Sequence, residues 1–225
     1  MAVLCDLRLE FVLVPLTDPV MAQNIYDTPA FFAGYSQLPR QTQGLAGAPE
    51  WPSLRAMLPV LAGKRVVDLG CGFGWASRWM REQGAASVLG LDLSQNMLAR
   101  ARHDTHDPAI EYRIADLESL TLPAAAFDLA YSALTFHYIE DLPRLIATLY
   151  QALVPGGQLV FSCEHPIYMA AAGAYWQHAE NSLIEAGFQI ARIEEFAPSP
   201  EQIEAWPALA EELERPMMLL VSARR

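Results

Sequence analysis

The chain has 225 residues, 52% hydrophobic and 18% charged, which is ample for one sizeable core and thin for two full domains. Its 15 Lys plus Arg against 26 Asp plus Glu give a formal charge of -11, which repels long nucleic acids and anionic membranes on average, so neither is expected as a partner. Cys5, Cys71 and Cys163 are widely spaced without ligand-type neighbours, which excludes a disulfide framework and a metal site from the expectation, and no apolar run nears the roughly 20 residues of a membrane span.

Residues 1–20 fit no helical pattern, lack the basic start and cleavage site of a signal peptide, and read as an N-terminal extension before Met21, which leaves a cytoplasmic location as the default. From residue 21 to the end the chain reads as one domain. Tyr26 to Gly47 is rich in aromatics and turn formers, and Glu50 to Leu61 has the apolar spacing of a short helix; residues 21–60 thus form a segment ahead of the first strand.

From Arg65 onward short apolar runs alternate with helical patterns, as parallel strands joined by crossover helices do. Strands are expected at Arg65 to Leu69, Ser87 to Leu91, Ile110 to Ala115, Phe127 to Ser132 and Gln158 to Cys163. Helices are expected at Trp75 to Gln83, Gln95 to His103 and Pro143 to Leu153. Arg100, Arg102 and Arg113 lie near one another, and an exposed face accounts for them better than a nucleic-acid patch. The tail reads as strands at Phe188 to Phe196 and Met217 to Ala223 around a helix begun by Ser199 and Gln202 as a capping box, with Pro200 at the first helical position. Two closing strands around one helix suit a sheet whose last strand turns antiparallel.

Gly70-Cys71-Gly72-Phe73-Gly74 follows the first strand with alternating glycines, which let a backbone turn tightly and approach a ligand. This spacing differs from the G-x-G-x-x-G of dinucleotide binders, and Gly63-Lys64-Arg65 lacks the features of a phosphate loop. Asp92 ends the second strand, where a carboxylate can accept from a ribose diol; Asp116 follows the third and Ser132 ends the fourth. Ligands of open α/β sheets gather at such strand ends. Against this stand plainer readings: Asp92 beside Ser94 at a helix start, and Asp116 in a solvated turn.

In these motifs, and in Phe127-Asp128-Leu129-Ala130-Tyr131-Ser132 and Leu153-Val154-Pro155-Gly156-Gly157-Gln158-Leu159, the chain resembles the class I S-adenosylmethionine-dependent methyltransferases, especially bacterial small-molecule enzymes similar to those of ubiquinone and biotin biosynthesis. The resemblance runs from about Tyr26 to the C-terminus. It implies an α/β fold: a Rossmann-like, seven-stranded, mostly parallel sheet with helices on both faces and an antiparallel last strand. It further implies S-adenosylmethionine as cofactor, with Asp68 near its amino group, Gly70, Cys71, Gly72 and Gly74 bordering its methionine part, and Asp92 on the ribose. Leu93 and Met97 would line the adenine, and Asp116 and Leu117 would read its edge. Tyr26, Phe31, Tyr35 and Arg40 are candidates for a cap over the cofactor, with simple packing as the alternative for the aromatics.

His137, five residues past the fourth strand, is the candidate base, its unperturbed pKa of roughly 6.5 suiting proton transfer; the alternative is a structural imidazole. Glu164 and His165 follow the fifth strand and would enter the same pocket as substrate-binding groups, the alternative being a loop in which Pro166 stops the strand; Tyr138, Tyr168 and Trp176 are candidates for its walls, with core packing as the alternative. Cys71 reads as a small packing residue within the loop. Between Tyr168 and Ala186 only a short, alanine-rich connection is expected, where similar enzymes often carry a longer lid. The expected function is methyl transfer to an O, N or C atom of a small molecule. A non-catalytic cofactor-binding module is the alternative; a nicotinamide oxidoreductase is disfavoured by the glycine spacing and by the lack of a lysine near Tyr131 or Tyr138.

Overall fold

The computed structural model describes residues 24–165 and 175–225, with side chains over 24–165 and 181–225. The expectations for residues 1–20, for Tyr168 and for the side chain of Trp176 lie outside the described residues.

Before the first strand the chain forms a 3-10 turn at Ile25–Asp27, helices α1 (Pro29–Tyr35) and α2 (Pro39–Thr42), a second 3-10 turn at Gly44–Gly47, and α3 (Trp51–Ala56). Helix α3 stops short of the expected Leu61 because Pro59 disfavours helical backbone at the residue before it. The α/β series follows: β1 (Arg65–Leu69), α4 (Trp75–Glu82), β2 (Ser87–Asp92), α5 (Gln95–His103), β3 (Ile110–Ile114), β4 (Phe127–Ala133), α6 (Leu142–Ala152) and β5 (Leu153–Glu164). The tail contributes α7 (Tyr175–Ala186), β6 (Gln189–Glu195), α8 (Pro200–Ala205), a 3-10 segment at Pro207–Leu213, and β7 (Met218–Arg224).

The seven strands run in the order β3-β2-β1-β4-β5-β7-β6; β1 to β5 are parallel, and β7 inserts antiparallel between β5 and β6. Period-2 alternation along β1 divides the interior. Val67 and Leu69 join a core with Leu145, Leu149 and Leu183, whereas Val66 joins Trp51, Met80, Leu98 and Tyr131 on the other face. Asp68 lies between two such apolar positions and is nevertheless buried. In β7 six consecutive residues, Met218 to Ala223, are buried, as a strand covered on both faces requires.

Three tail features differ from expectation or sharpen it. A twelve-residue helix, α7, occupies most of what reads as a short connection, and buried Leu183 anchors the helix to the core beside α6. Helix α8 carries the capping box of Ser199 and Gln202 but spans only Pro200–Ala205, with Pro207 opening the 3-10 segment beyond it. Gln202 Nε2 donates to the Pro49 carbonyl over 2.7 Å, tying α8 to the segment before β1. Among the described residues no helix is long and apolar enough to cross a membrane.

Candidate active site

The carboxyl ends of β1, β2 and β4 converge on the glycine loop. Gly70 and Cys71 both donate their N–H groups to the Leu91 carbonyl, at 2.8 and 2.9 Å, which folds the loop back over β2. Gly72 then donates to Asp92 Oδ2 at 2.8 Å, and Ser94 N donates to Oδ1 at 2.9 Å. Burial raises the Asp92 pKa, against the lowering effect of these N–H donors. Gly72 has φ +52°, and a Cβ there would meet nothing within 4 Å, so the loop borders open space. Gly74, with φ +73°, is packed instead: a Cβ would lie 2.1 Å from the Tyr112 hydroxyl.

Beneath the loop, Asp68 Oδ2 accepts from Ser77 Oγ at 2.5 Å, and burial pushes the carboxyl up to about 7. Asp68 and Tyr131 are register partners on β1 and β4 and so share a sheet face. Cys71 and Met97 are buried, with the Cys71 thiol pushed well above its usual range by burial, so at Cys71 mainly the backbone borders the loop space. Ser132, also buried, spends its hydroxyl proton on the Leu69 carbonyl at 2.9 Å. Leu117 packs in the core with Leu120, while Asp116 accepts from Glu118 N at 2.9 Å and Leu93 is half-buried.

The segment before β1 covers this edge. Tyr26, Phe31 and Tyr35 form a ring cluster with centroids 5.1 to 6.0 Å apart, and Phe32 meets Phe73 of the glycine loop at 5.8 Å. Asp27 is the anchor that sequence reasoning missed. Its carboxylate accepts from Ser94 Oγ at 2.6 Å, Asn96 N at 3.0 Å and Gln95 N at 3.2 Å, all at the positive N-terminal end of α5, and from Asn24 Nδ2 at 2.6 Å. No spacing rule links positions 27 and 94; the only local signal is an acid directly after Tyr26.

Arg40 pairs with buried Glu50 at 2.6 Å, and Glu50 raises the pKa of a second buried carboxyl, Glu212, which burial and this neighbour together push up to about 7. Glu50 Oε2 and Glu212 Oε2 are buried without a hydrogen-bond partner among the described residues. Neither acid stands out in the sequence, because Glu212 reaches this place only through the β6-to-β7 excursion.

On the other side of the cap, the Tyr26 hydroxyl lies 3.3 Å from that of Tyr138, and both Tyr26 and Tyr35 feel the Asp92 charge. Tyr138 stacks obliquely on His137 with centroids 4.2 Å apart. Glu164 N donates to His137 Nδ1 at 3.3 Å, and His137 Nε2 lies 3.8 Å from Glu164 Oε1. Burial drives His137 down to about 4, so the ring is neutral at physiological pH. His165 does not join this group: its N–H donates to the Met217 carbonyl at 2.7 Å and its Nε2 lies 3.1 Å from Glu195 Oε1 on β6. The structure therefore brings Asp92, Tyr26, Tyr35, Tyr138, His137 and Glu164 to one edge and leaves His165 beside β6. Arg100, Arg102 and Arg113 are engaged by Asp104, the Tyr112 carbonyl and Glu111 respectively.

Residues 67–161 match the family described as a methyltransferase domain. Among solved structures, an S-adenosylmethionine-dependent methyltransferase from Mesorhizobium loti is 51% identical, with TM-score 0.77, over 81% of this chain and 100% of that one. A malonyl-[acyl-carrier protein] O-methyltransferase from Serratia marcescens is 38% identical over 52% of this chain and 45% of its own. A phosphoethanolamine N-methyltransferase from Triticum aestivum is 34% identical over 56% and 25%. The chain thus spans about half or less of these two curated relatives.

Proposed function

The chain belongs to the S-adenosylmethionine-dependent methyltransferases, and we propose that it moves the methyl group of this cofactor to an O, N or C atom of a small molecule. The observation that carries this reading is the glycine loop tied to Asp92 with open space beside Gly72, which fits a ligand lying along the ends of β1 and β2. The buried Trp75 Nε1, one residue past the loop and without a partner among the described residues, agrees with a polar ligand in the neighbourhood. Asp92 would take the ribose hydroxyls, Leu93 and Met97 the adenine flank, and Asp116 and Leu117 its edge. Gly70, Cys71, Gly72 and Gly74 would offer backbone, and Asp68 would lie toward the amino group.

The bound cofactor supplies an electrophilic methyl on a sulfonium. What remains for this chain is to align a nucleophile with it and to keep water out. Tyr26, Phe31 and Tyr35 would cover the cofactor, held down by Asp27 on α5, and Tyr138, His137 and Glu164 would border the acceptor. Relatives named for O- and for N-methylation both occur, so the acceptor atom comes from this site and not from the family. The non-catalytic alternative draws no support from relatives named as transferases. Incubation with labelled S-adenosylmethionine and a metabolite extract tests the reading: transfer of label to a small molecule is expected, and binding of the cofactor without any transfer would leave only a binding protein.

A further inference from the structure

We propose that Glu164, rather than His137, is the group that receives the acceptor's proton, and that the acceptor is an amine presented as its ammonium ion. The inference rests on the methyl-transfer reading and deepens it. Its basis is the pairing at the ends of β4 and β5. A neutral imidazole has one N–H and one lone pair. The lone pair at His137 Nδ1 is spent on the main-chain N–H of Glu164, so the ring proton sits on Nε2. In that tautomer His137 has no free acceptor to offer a substrate. It is a positioning residue: it fixes the main chain at Glu164 and presents its own N–H toward the Glu164 carboxylate, 3.8 Å away.

Glu164 has the properties His137 lacks. Its side chain is 45% exposed, its carboxylate accepts no hydrogen bond among the described residues, and partial burial raises its proton affinity above that of an ordinary glutamate. It is joined to the Asp92 edge through Tyr138 and Tyr26, whose hydroxyls lie 3.3 Å apart. The charge around it selects the acceptor. Along this edge Asp92 and Glu164 are acids, His137 is neutral, and the charge of Arg40 is matched by Glu50 at 2.6 Å. An ammonium group meets a carboxylate and tyrosine oxygens here. Its proton goes to a Glu164 oxygen, which frees the nitrogen lone pair, and passes from there to the water that the half-exposed carboxyl touches.

The test uses the full chain. Calorimetric titration of S-adenosylmethionine comes first; failure of the wild type to bind it would sink the family-based function and leave the pairing of His137 and Glu164 to be judged separately. With S-adenosylhomocysteine saturating, n-propylammonium and propionate are then titrated into wild type and E164Q. The wild type should prefer n-propylammonium, and E164Q should weaken it about tenfold or more, the scale of one charged hydrogen bond, while cofactor affinity stays intact. Equal or undetectable binding of the two probes, or a preference for propionate, overturns the proposal. So does E164Q binding n-propylammonium as the wild type does. Label transferred to an extract should survive base and be retained by a cation exchanger; label released by base as methanol, or base-stable and uncharged, counts against an amine. Nitrogen-15 shifts of His137 give a readout without turnover: a protonated Nε2 and bare Nδ1 are expected, and the opposite tautomer overturns the assignment.

Discussion

Asp92 Oδ2 and the main-chain N–H of Gly72 meet at 2.8 Å, so the residue that ends β2 also holds the loop that leaves β1. The same carboxylate takes Ser94 N on its other oxygen, which makes it the joint between loop, strand and α5. Removing it should loosen the loop and delete the acceptor for a ribose diol together. Asp92→Ala is expected to weaken S-adenosylmethionine by at least about tenfold, in line with a charged hydrogen bond of roughly 1.5–3 kcal/mol. Calorimetric titration measures this, and unchanged affinity would put the ribose elsewhere.

The parts of this joint differ in how legible they are in sequence. Strand β1, the alternating glycines and the acid closing β2 are local patterns, because burial on both faces of a parallel strand writes a continuous apolar run and a tight turn requires glycine. Period and capping rules likewise locate α5 and the start of α8. Asp27 on α5 and Glu212 beside Glu50 are contacts between distant segments, and nothing in the composition around either acid marks them. The His137 to Glu164 bond is of the same kind. Sequence suggests two polar residues at neighbouring strand ends, but only geometry says which nitrogen is already used. Helix α7 is obscured for another reason: the alanine-rich run ahead of it makes the whole stretch from Tyr168 to Ala186 read as a connection.

Gly72 and Gly74 should respond differently to alanine. Both have positive φ, so each change carries backbone strain, of order 1 kcal/mol. Only at Gly74 does a Cβ also run into Tyr112. Gly72→Ala is expected to keep the fold and lose cofactor affinity, because its methyl enters the space beside the loop. Gly74→Ala should lower the melting temperature more than Gly72→Ala does. Thermal melts with and without S-adenosylmethionine compare the two; a larger loss of unliganded stability at Gly72 would contradict the packing argument.

Asp27 satisfies N–H and hydroxyl groups at the start of α5 and fastens the aromatic cap there. Hydrogen bonds from Ser94, Asn96, Gln95 and Asn24 outweigh the opposing effect of desolvation and hold its pKa below the ordinary carboxylate value. A depressed folded value means stability that is present above the unfolded pKa and lost as pH falls through the folded one. Asp27→Ala should therefore cost about 1 kcal/mol near neutrality and less as the acid limit is approached. It should also increase protease cleavage between residues 28 and 47, detectable by mass mapping. A neutral-pH stability equal to wild type would show that the cap is held by its aromatic contacts alone.

Glu212 offers the opposite sign. Burial, with Glu50 adding its charge, raises the carboxyl from 4.5 to about 7. In the window between those values the folded chain binds more protons than the unfolded chain, so stability falls as pH rises through it, and the contribution is fully retained only below the unfolded value. Glu212→Gln removes this titration while keeping shape and polarity. The variant should match wild type within a few tenths of a kcal/mol near pH 5 and exceed it by about 1 kcal/mol at pH 8, a rise in melting temperature of roughly 2–4 °C for a chain of this size. Asp68, also raised to about 7, titrates in both proteins and cancels in the difference. Glu50→Gln is the control: it weakens the buried 2.6 Å ion pair with Arg40 and should destabilise at both pH values. Denaturant melts at pH 5 and pH 8 decide the matter, and a stability difference between Glu212→Gln and wild type that does not change with pH would show that the Glu212 carboxyl does not titrate differently on folding.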